Sequence, residues 1–371
     1  MSMSFVKKLI FIFFLLLHTN SYSQIEVRSY PINLSDNTIL NYVVDYFPQS
    51  YVQSKGAHLT WDLSESKSPI VQQITIRKTK LENISKSAVY EIKSGNNTVF
   101  FSKNKRNFDE LGFILNTANN SHIVLYKHPL YFTTKYLKYG ATFSNSGSFT
   151  IQLMREELPK ELIANLPVSV KEVKLVGKIF RKYHCDAGGR FILEDNEIAA
   201  LRLSVDESIE IRLYDVGSGN EIPFIKEHVL KKIYEKAGEN KYYLFFSNSY
   251  KYYFAKVDYD KSSGNYIIKY QSNDIKKDAL EVNTSKKIFL LYPNPTYSIA
   301  KMLIANYGIG KYKLEIYNII GKKLWEDNLM LTKSNLLRYD FSFLRKGTYI
   351  IALKDKYGKL ITTRKLVIIS V

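Results

Sequence analysis

Runs in which apolar and polar residues alternate every second position, separated by breaks rich in glycine, asparagine and serine, constrain this chain more than any other feature. Successive side chains of a strand point to opposite faces, so such a run suits a half-buried strand, whereas a helix would scatter its apolar groups around the axis. Ala57, Leu59, Trp61 and Leu63 alternate with His58, Thr60, Asp62 and Ser64, and Ile209, Ile211 and Leu213 alternate with Glu210, Arg212 and Tyr214. The breaks at 94–97, 144–148 and 217–220 carry turn chemistry. Only two segments have helical spacing: a short turn or helix near Glu156–Ile163, and Lys226–Lys236, with Val229, Leu230 and Ile233 on one face and Gly238 as a stop. The expected fold is mostly β, an antiparallel sandwich-like region followed by a smaller C-terminal sandwich.

The N-terminus is an address rather than a structural element. Lys7 and Lys8 precede the apolar run Leu9–Leu17, which gives way to the polar stretch His18–Ser23. This is the layout of a secretory signal peptide, and small residues at Ser21 and Ser23 place cleavage between Ser23 and Gln24. The run falls short of the roughly 20 apolar residues a membrane span needs, and no later stretch is longer, so no transmembrane span is expected. The organisation expected is a signal peptide at 1–23, a β-rich unit at 24–156, a second at 157–271 with a short helix near 226–236, a polar linker at 272–288 and a C-terminal unit at 289–371. The boundary between the β-rich units is placed in the proline-bounded stretch Pro159–Pro167.

A net charge of +18 suggests nucleic acid until it is divided along the chain. Residues 289–371 hold 14 Lys and Arg against 5 Asp and Glu, while 24–288 mix 37 basic with 30 acidic groups and contain no long basic block. No specific nucleic-acid partner is expected. The 29 tyrosines and 21 phenylalanines suit strands as well as they suit stacking platforms. One cysteine excludes an internal disulfide, and histidines at 18, 58, 122, 128, 184 and 228 lack metalloprotease spacing.

Candidate chemistry in the central region is weak residue by residue. In His184-Cys185-Asp186 the neighbours on a strand face opposite ways, so His184 cannot activate Cys185, and a lone cysteine is more often a small buried apolar group. Glu194, Asp195 and Glu197 could supply paired carboxylates for glycoside hydrolysis, but such pairs normally come from different strands, and a solvated turn before Ile198 is enough to explain them. Asp258–Gly264 resembles a calcium loop but carries Ser263 and Lys269 where an EF-hand needs glycine and glutamate, which favours a hairpin turn. Trp61 could stack on a sugar, yet its place in the alternation puts it in a core. Walker, dinucleotide and nucleophile-elbow motifs are absent, and no cofactor, metal or catalytic residue is assigned.

The C-terminal unit is the most specific. Tyr292-Pro293-Asn294-Pro295 is followed by a strand near Ile299–Ile304, then by Leu314–Lys323 with Gly321 at a turn, Phe343–Tyr349 with Gly347, and a final strand containing Lys365-Leu-Val-Ile-Ile369. This ordered string resembles the type A C-terminal sorting domain of type IX secretion substrates. Its motif residues here are Tyr292, Pro293, Asn294, Pro295, Gly321, Gly347, Tyr349 and Lys365. One departure is Phe341-Ser342-Phe343, where an Asp-Leu-Ser-like string is usual. The resemblance covers only 289–371. It implies passage through the Sec translocon, reading of the C-terminal sandwich by the type IX outer-membrane translocon, its removal by the C-terminal signal peptidase near the linker, and release of the cargo or its attachment to surface lipopolysaccharide. Gly56–Ser64, Asp186–Leu193 and Ile198–Leu203 resemble uncharacterised cargo of such proteins, which transfers no activity.

The expected function is an exported, cell-surface or secreted β protein whose cargo binds a glycan, matrix component or neighbouring cell through an extracellular glycan or protein ligand. The alternatives are a carboxylate-based secreted hydrolase and a structural envelope component.

Overall fold

The computed structural model describes residues 26–27, 37–66, 68–81, 88–103, 107–134, 136–193, 196–223, 225–250, 252–260, 264–272, 280–281, 287–332 and 334–369. Strands make up 67% and helices 6%. In chain order the elements begin with β1 (Glu26–Val27), β2 (Thr38–Phe47), α1 (Gln49–Gln53), β3 (Gly56–Asp62), β4 (Ile70–Thr79), β5 (Ala88–Ser94), β6 (Asn97–Lys103), β7 (Asn107–Asn116) and β8 (Ser121–Thr134). They continue with β9 (Leu137–Lys138), β10 (Thr142–Met154), α2 (Lys160–Ile163), β11 (Glu172–Leu193), β12 (Asn196–Asp215), α3 (Glu227–Ile233), β13 (Gly238–Phe246), β14 (Ala255–Asp260), β15 (Asn265–Gln271) and β16 (Leu280–Glu281). The C-terminal strands are β17 (Ile288–Tyr292), β18 (Ile299–Ala305), β19 (Gly310–Asn318), β20 (Lys323–Leu331), β21 (Ser334–Asp340), β22 (Gly347–Asp355) and β23 (Leu360–Ile368). Among the described residues no helix is long and apolar enough to cross a membrane.

The cargo is built on one 14-stranded sheet. Its path runs β10-β11-β12-β13-β14-β15-β2-β4-β5-β6-β7-β8, so two antiparallel meanders, one from each half of the cargo, are joined where Tyr266 pairs with Phe47 and Tyr270 with Val43. The sheet folds over until its ends approach, with Asn145 Nδ2 of β10 donating to the Tyr131 carbonyl of β8 at 3.0 Å. Apolar residues of β7 and β8 then face those of β10, β11 and β12 around Phe113, Phe149, Leu175 and Ile211. α2 and α3 seal one end through Leu162, Val229 and Ile233. The helical spacing at 226–236 is realised over Glu227–Ile233, which buries Val229 and Ile233, while Gly238 at φ +92° takes the left-handed turn beyond it. The short helix α1 has no counterpart in the sequence pattern.

β11, at 22 residues, cannot stay regular along its whole length. Its first half alternates cleanly, with Ile179, Arg181, Tyr183 inward and Lys178, Phe180, Lys182 outward. At Cys185–Ala187 a bulge shifts the register against β12, and beyond it β3 pairs in parallel along the other edge. Residues 185–189 are consecutively buried because α1 and β3 cover what would otherwise be the open side. Gly189 makes this possible: a Cβ there would lie 1.9 Å from the Leu59 carbonyl oxygen. Gly189→Ala is expected to push β3 away and cost about 3 kcal/mol, as overpacking against rigid backbone does. A denaturant midpoint unchanged by the substitution would refute this account.

The C-terminal unit is an immunoglobulin-like sandwich of a three-stranded sheet, β17-β18-β21, and a four-stranded sheet, β20-β19-β22-β23. The facing side chains include Phe289, Met302, Ile304, Leu314, Ile316, Ile351, Leu353 and Leu366. Leu314 and Ile316 are wholly buried in this core, while Glu315 between them faces the other way and is buried beside the Lys354 ammonium.

Candidate functional site

The motif residues of the C-terminal sandwich lock its last strand in place. Asn294 Nδ2 donates to the Lys365 carbonyl at 2.6 Å, and its Oδ1 accepts from the Val367 amide at 2.9 Å, so one side chain mimics a neighbouring strand. Thr296 continues the ladder, its amide donating to Val367 O and its carbonyl accepting from Ile369 N. The Tyr292–Pro293 and Asn294–Pro295 peptides are both cis. Gly321 holds φ +81° in the β19–β20 turn, where Asn318 Oδ1 accepts from the Ile320 and Lys322 amides. Tyr349 is buried and its hydroxyl donates to the Arg345 carbonyl at 2.6 Å. Gly347 opens β22, where a Cβ would meet nothing nearer than 3.7 Å, and the Lys365 side chain is exposed.

The outer face of β17-β18-β21 is not open. Ile288, Tyr292, Leu303, Ala305 and Leu336 point away from the sandwich core and are buried against Val44 of β2 and Ile70 of β4 in the cargo. At this junction Asp45, with no exposed surface, receives the Lys301 ammonium at 2.6 Å. Ser66 Oγ donates to the other Asp45 oxygen at 2.5 Å and lies 2.8 Å from the Tyr270 hydroxyl. Ser68 Oγ donates to Tyr292 Oη at 3.3 Å, and Arg338 lies over the Tyr46 ring at 5.7 Å. Burial, with Asp45 beside it, pushes the Tyr292 hydroxyl well above the usual phenol range. The sequence signal for this contact is the unbroken apolar runs 288–292 and 302–305, which are the mark of strands covered on both faces.

A second surface lies on the cargo, on the solvent side of β10-β11-β12. Phe180 stands at its centre, 50% exposed, paired with Ser146 on one side and Ser208 on the other. Lys178 and Lys182 flank it along β11, opposite Ser148 and Ser144 of β10. Farther out, Lys241 pairs with Asp206 at 2.9 Å and Lys174 lies over the Tyr214 ring at 5.2 Å. The result is a flat face of mixed charge around one aromatic ring, with Lys178 and Lys182 opposite Glu210 and Asp206 of β12 and the Ser208 hydroxyl donating to Glu239.

The structure separates the other candidates. Cys185 is buried, and burial, reinforced by Asp186, pushes its thiol up to about 12, while His184 is exposed on the opposite side of β11. Asp186 belongs to a clamp. Arg202, wholly buried, donates to both its oxygens at 2.8 and 3.1 Å and to the carbonyls of Tyr51, Val52 and Ser54 at the end of α1. Glu197 is exposed and pairs with Arg190 at 3.4 Å, whereas Glu194 and Asp195 lie outside the described residues. Asp258 pairs with Lys256 at 2.7 Å, and β14 and β15 run antiparallel on either side of 261–263, which also lie outside the described residues. Trp61 is buried against Phe191 and Phe245. Among the described residues no group of three or more His, Cys, Asp or Glu could hold a metal. Ser23 and Gln24 lie outside the described residues.

Sequence reasoning missed the Asp45–Lys301 contact and the Phe180 face. The first needs two strands brought together from opposite ends of the chain, and the second depends on which side of β11 the fold leaves open.

No curated protein matches this chain. Residues 290–369 match the family described as the secretion system C-terminal sorting domain. The C-terminal sandwich is therefore a type IX sorting domain, and the chain that carries it is a substrate of the type IX secretion system, exported to the cell surface or the extracellular space.

Proposed function

We propose that the cargo is a non-enzymatic binding module for extracellular glycans, which it meets through the outer face of β10-β11-β12. The observation that carries this reading is the half-exposed Phe180 among serine hydroxyls and the Lys178 and Lys182 ammonium groups. An exposed aromatic ring offers its face to the C–H surface of a sugar, and hydroxyls on a flat sheet can bond the sugar's own hydroxyls. Among the described residues no comparable feature supports the carboxylate hydrolase or the envelope component. The accompanying route is cleavage of the signal peptide between Ser23 and Gln24, removal of the sorting domain at the 272–288 linker, and release of the cargo or its joining to surface lipopolysaccharide.

The test is a glycan array probed with the mature chain, Gln24–Val371, at about 0.15 M and about 0.5 M salt, since the higher salt screens exposed charges heavily. Saturable binding is expected at both. Phe180→Ala is expected to weaken it about tenfold, in line with about 1.4 kcal/mol for a lost aromatic contact, with no change in the thermal midpoint. Binding that disappears at the higher salt, or that ignores Phe180→Ala, would sink the assignment.

A further inference from the structure

The sorting domain meets the cargo through more than a tether. Three features of the junction act together: an apolar layer, a buried ion pair and a cation–ring contact. The layer joins Ile288, Tyr292, Leu303, Ala305 and Leu336 to Val44 and Ile70. The ion pair places Lys301, only 19% exposed at its side chain, on the fully buried Asp45 carboxylate. The ring contact sets Arg338 over Tyr46. The partners sit on β17, β18 and β21 on one side and on β2 and β4 on the other, Ile288 alone falling at the end of the linker, and Leu280 of the linker pairs in parallel with Ile70 of β4 beside the same junction.

Each feature is one that a free sandwich would not carry. A solvated sheet face has polar residues at alternate positions, yet here the outward positions of β17 and β18 are apolar apart from Lys301. That lysine points at a carboxylate whose other oxygen is already engaged by Ser66, so Asp45 and its hydroxyl neighbours form a receptor for one ammonium group. Removing either charge leaves the other in a poorly solvated site, which is far costlier than losing a surface pair.

We propose that the sorting domain is a docked cap on the β2–β4 face of the cargo, latched by the Asp45–Lys301 ion pair, so that cutting the linker does not by itself separate the two. Loss of the domain then takes two steps, scission and undocking, and the second uncovers the Val44, Ile70 and Asp45 surface. This does not depend on the glycan reading.

The experiment uses the mature chain with a site-specific protease sequence replacing residues 273–279, cut to completion and passed over a gel-filtration column at about 0.15 M salt. The two fragments are expected to elute together at the volume of the uncut chain. In Lys301→Glu, which sets two like charges against each other, they are expected to separate, with affinity lowered by at least about a hundredfold. The uncut variant's circular dichroism shows whether it is folded; if it is not, Lys301→Met, which keeps most of the apolar stem, takes its place. Separation of the unsubstituted fragments on cutting would overturn the docking. Co-elution that persists unchanged in the folded Lys301 variant would overturn the ion pair as the latch.

Discussion

Arg202→Ala is expected to cost the cargo about 5 kcal/mol, an amount comparable to the whole stability of many domains. The guanidinium is buried completely and spends its donors on Asp186 and on three carbonyls at the end of α1, with its plane 4.9 Å from the Tyr243 ring. Alanine would leave the Asp186 carboxylate buried without a counter-charge, and would strip the helix end of the only donors these contacts supply to it. Arg202→Lys keeps the charge but lacks the planar fork, so it is expected to recover the ion pair and lose the carbonyls, an intermediate loss of about 2 kcal/mol. Urea unfolding followed by Trp61 fluorescence checks both, with Trp325 replaced by phenylalanine so that the cargo is read alone. Arg202→Ala unfolding at the unsubstituted midpoint would show that the clamp is dispensable.

Arg181→Met is expected to reverse the pH dependence of stability as well as lower its magnitude. Arg181 is buried between Glu110, at 2.7 Å, and Glu207, at 2.5 Å, and Tyr126 donates to Glu110 at 2.7 Å. Burial pulls the Glu110 carboxyl upward, but the Arg181 guanidinium outweighs it and holds the group below its ordinary value of 4.5. With its folded value depressed, Glu110 contributes stability that is fully present above about 4.5 and is lost as pH falls through the lower folded value. Between pH 8 and 5 the unsubstituted protein should therefore be insensitive to this group. In Arg181→Met burial, the strongest influence on Glu110, is opposed by the weaker Lys236 charge and Tyr126 hydroxyl without the guanidinium, so the ionised Glu110 carboxylate opposes folding. The variant should lose about 4 kcal/mol at pH 8 and regain part of it on acidification towards pH 5. Urea midpoints at pH 8, 6.5 and 5 decide the matter; a variant as flat as the parent over this range would show that Glu110 finds another counter-charge.

Both clamps show how much the sequence could say. Alternation places Arg181 between Ile179 and Tyr183, and Glu207 between Val205 and Ile209, at inward positions, so that charges face the core was legible. Their pairing was not, because Glu110 and Arg181 are 71 residues apart and meet only when the sheet folds back on itself. In the same way Asp186-Ala-Gly-Gly-Arg190 stood out as a motif without a reason. The reason is tertiary: the aspartate holds Arg202, and Gly189 makes room for the Leu59 backbone.

What the sequence determined by itself are the properties that depend on near neighbours. Period-two alternation set the β class, as in Ile209–Leu213. Closely spaced motifs, Tyr292–Pro295 through Lys365–Ile369, marked the sorting domain and with it the export route. What only the tertiary structure decided are the properties that depend on which faces meet. Among the described residues nothing folds over Phe180 on its side of β11, so the ring is exposed, while Asp186, a few residues on, is buried because Arg202 and the end of α1 close over it. Lys301 is an ion-pair partner because β18 lies against β2, 256 residues away from Asp45. Alternation says that a residue has two possible sides; the long-range packing that chooses between them is fixed by loop closure and shape across the whole chain, and no local window of sequence contains it.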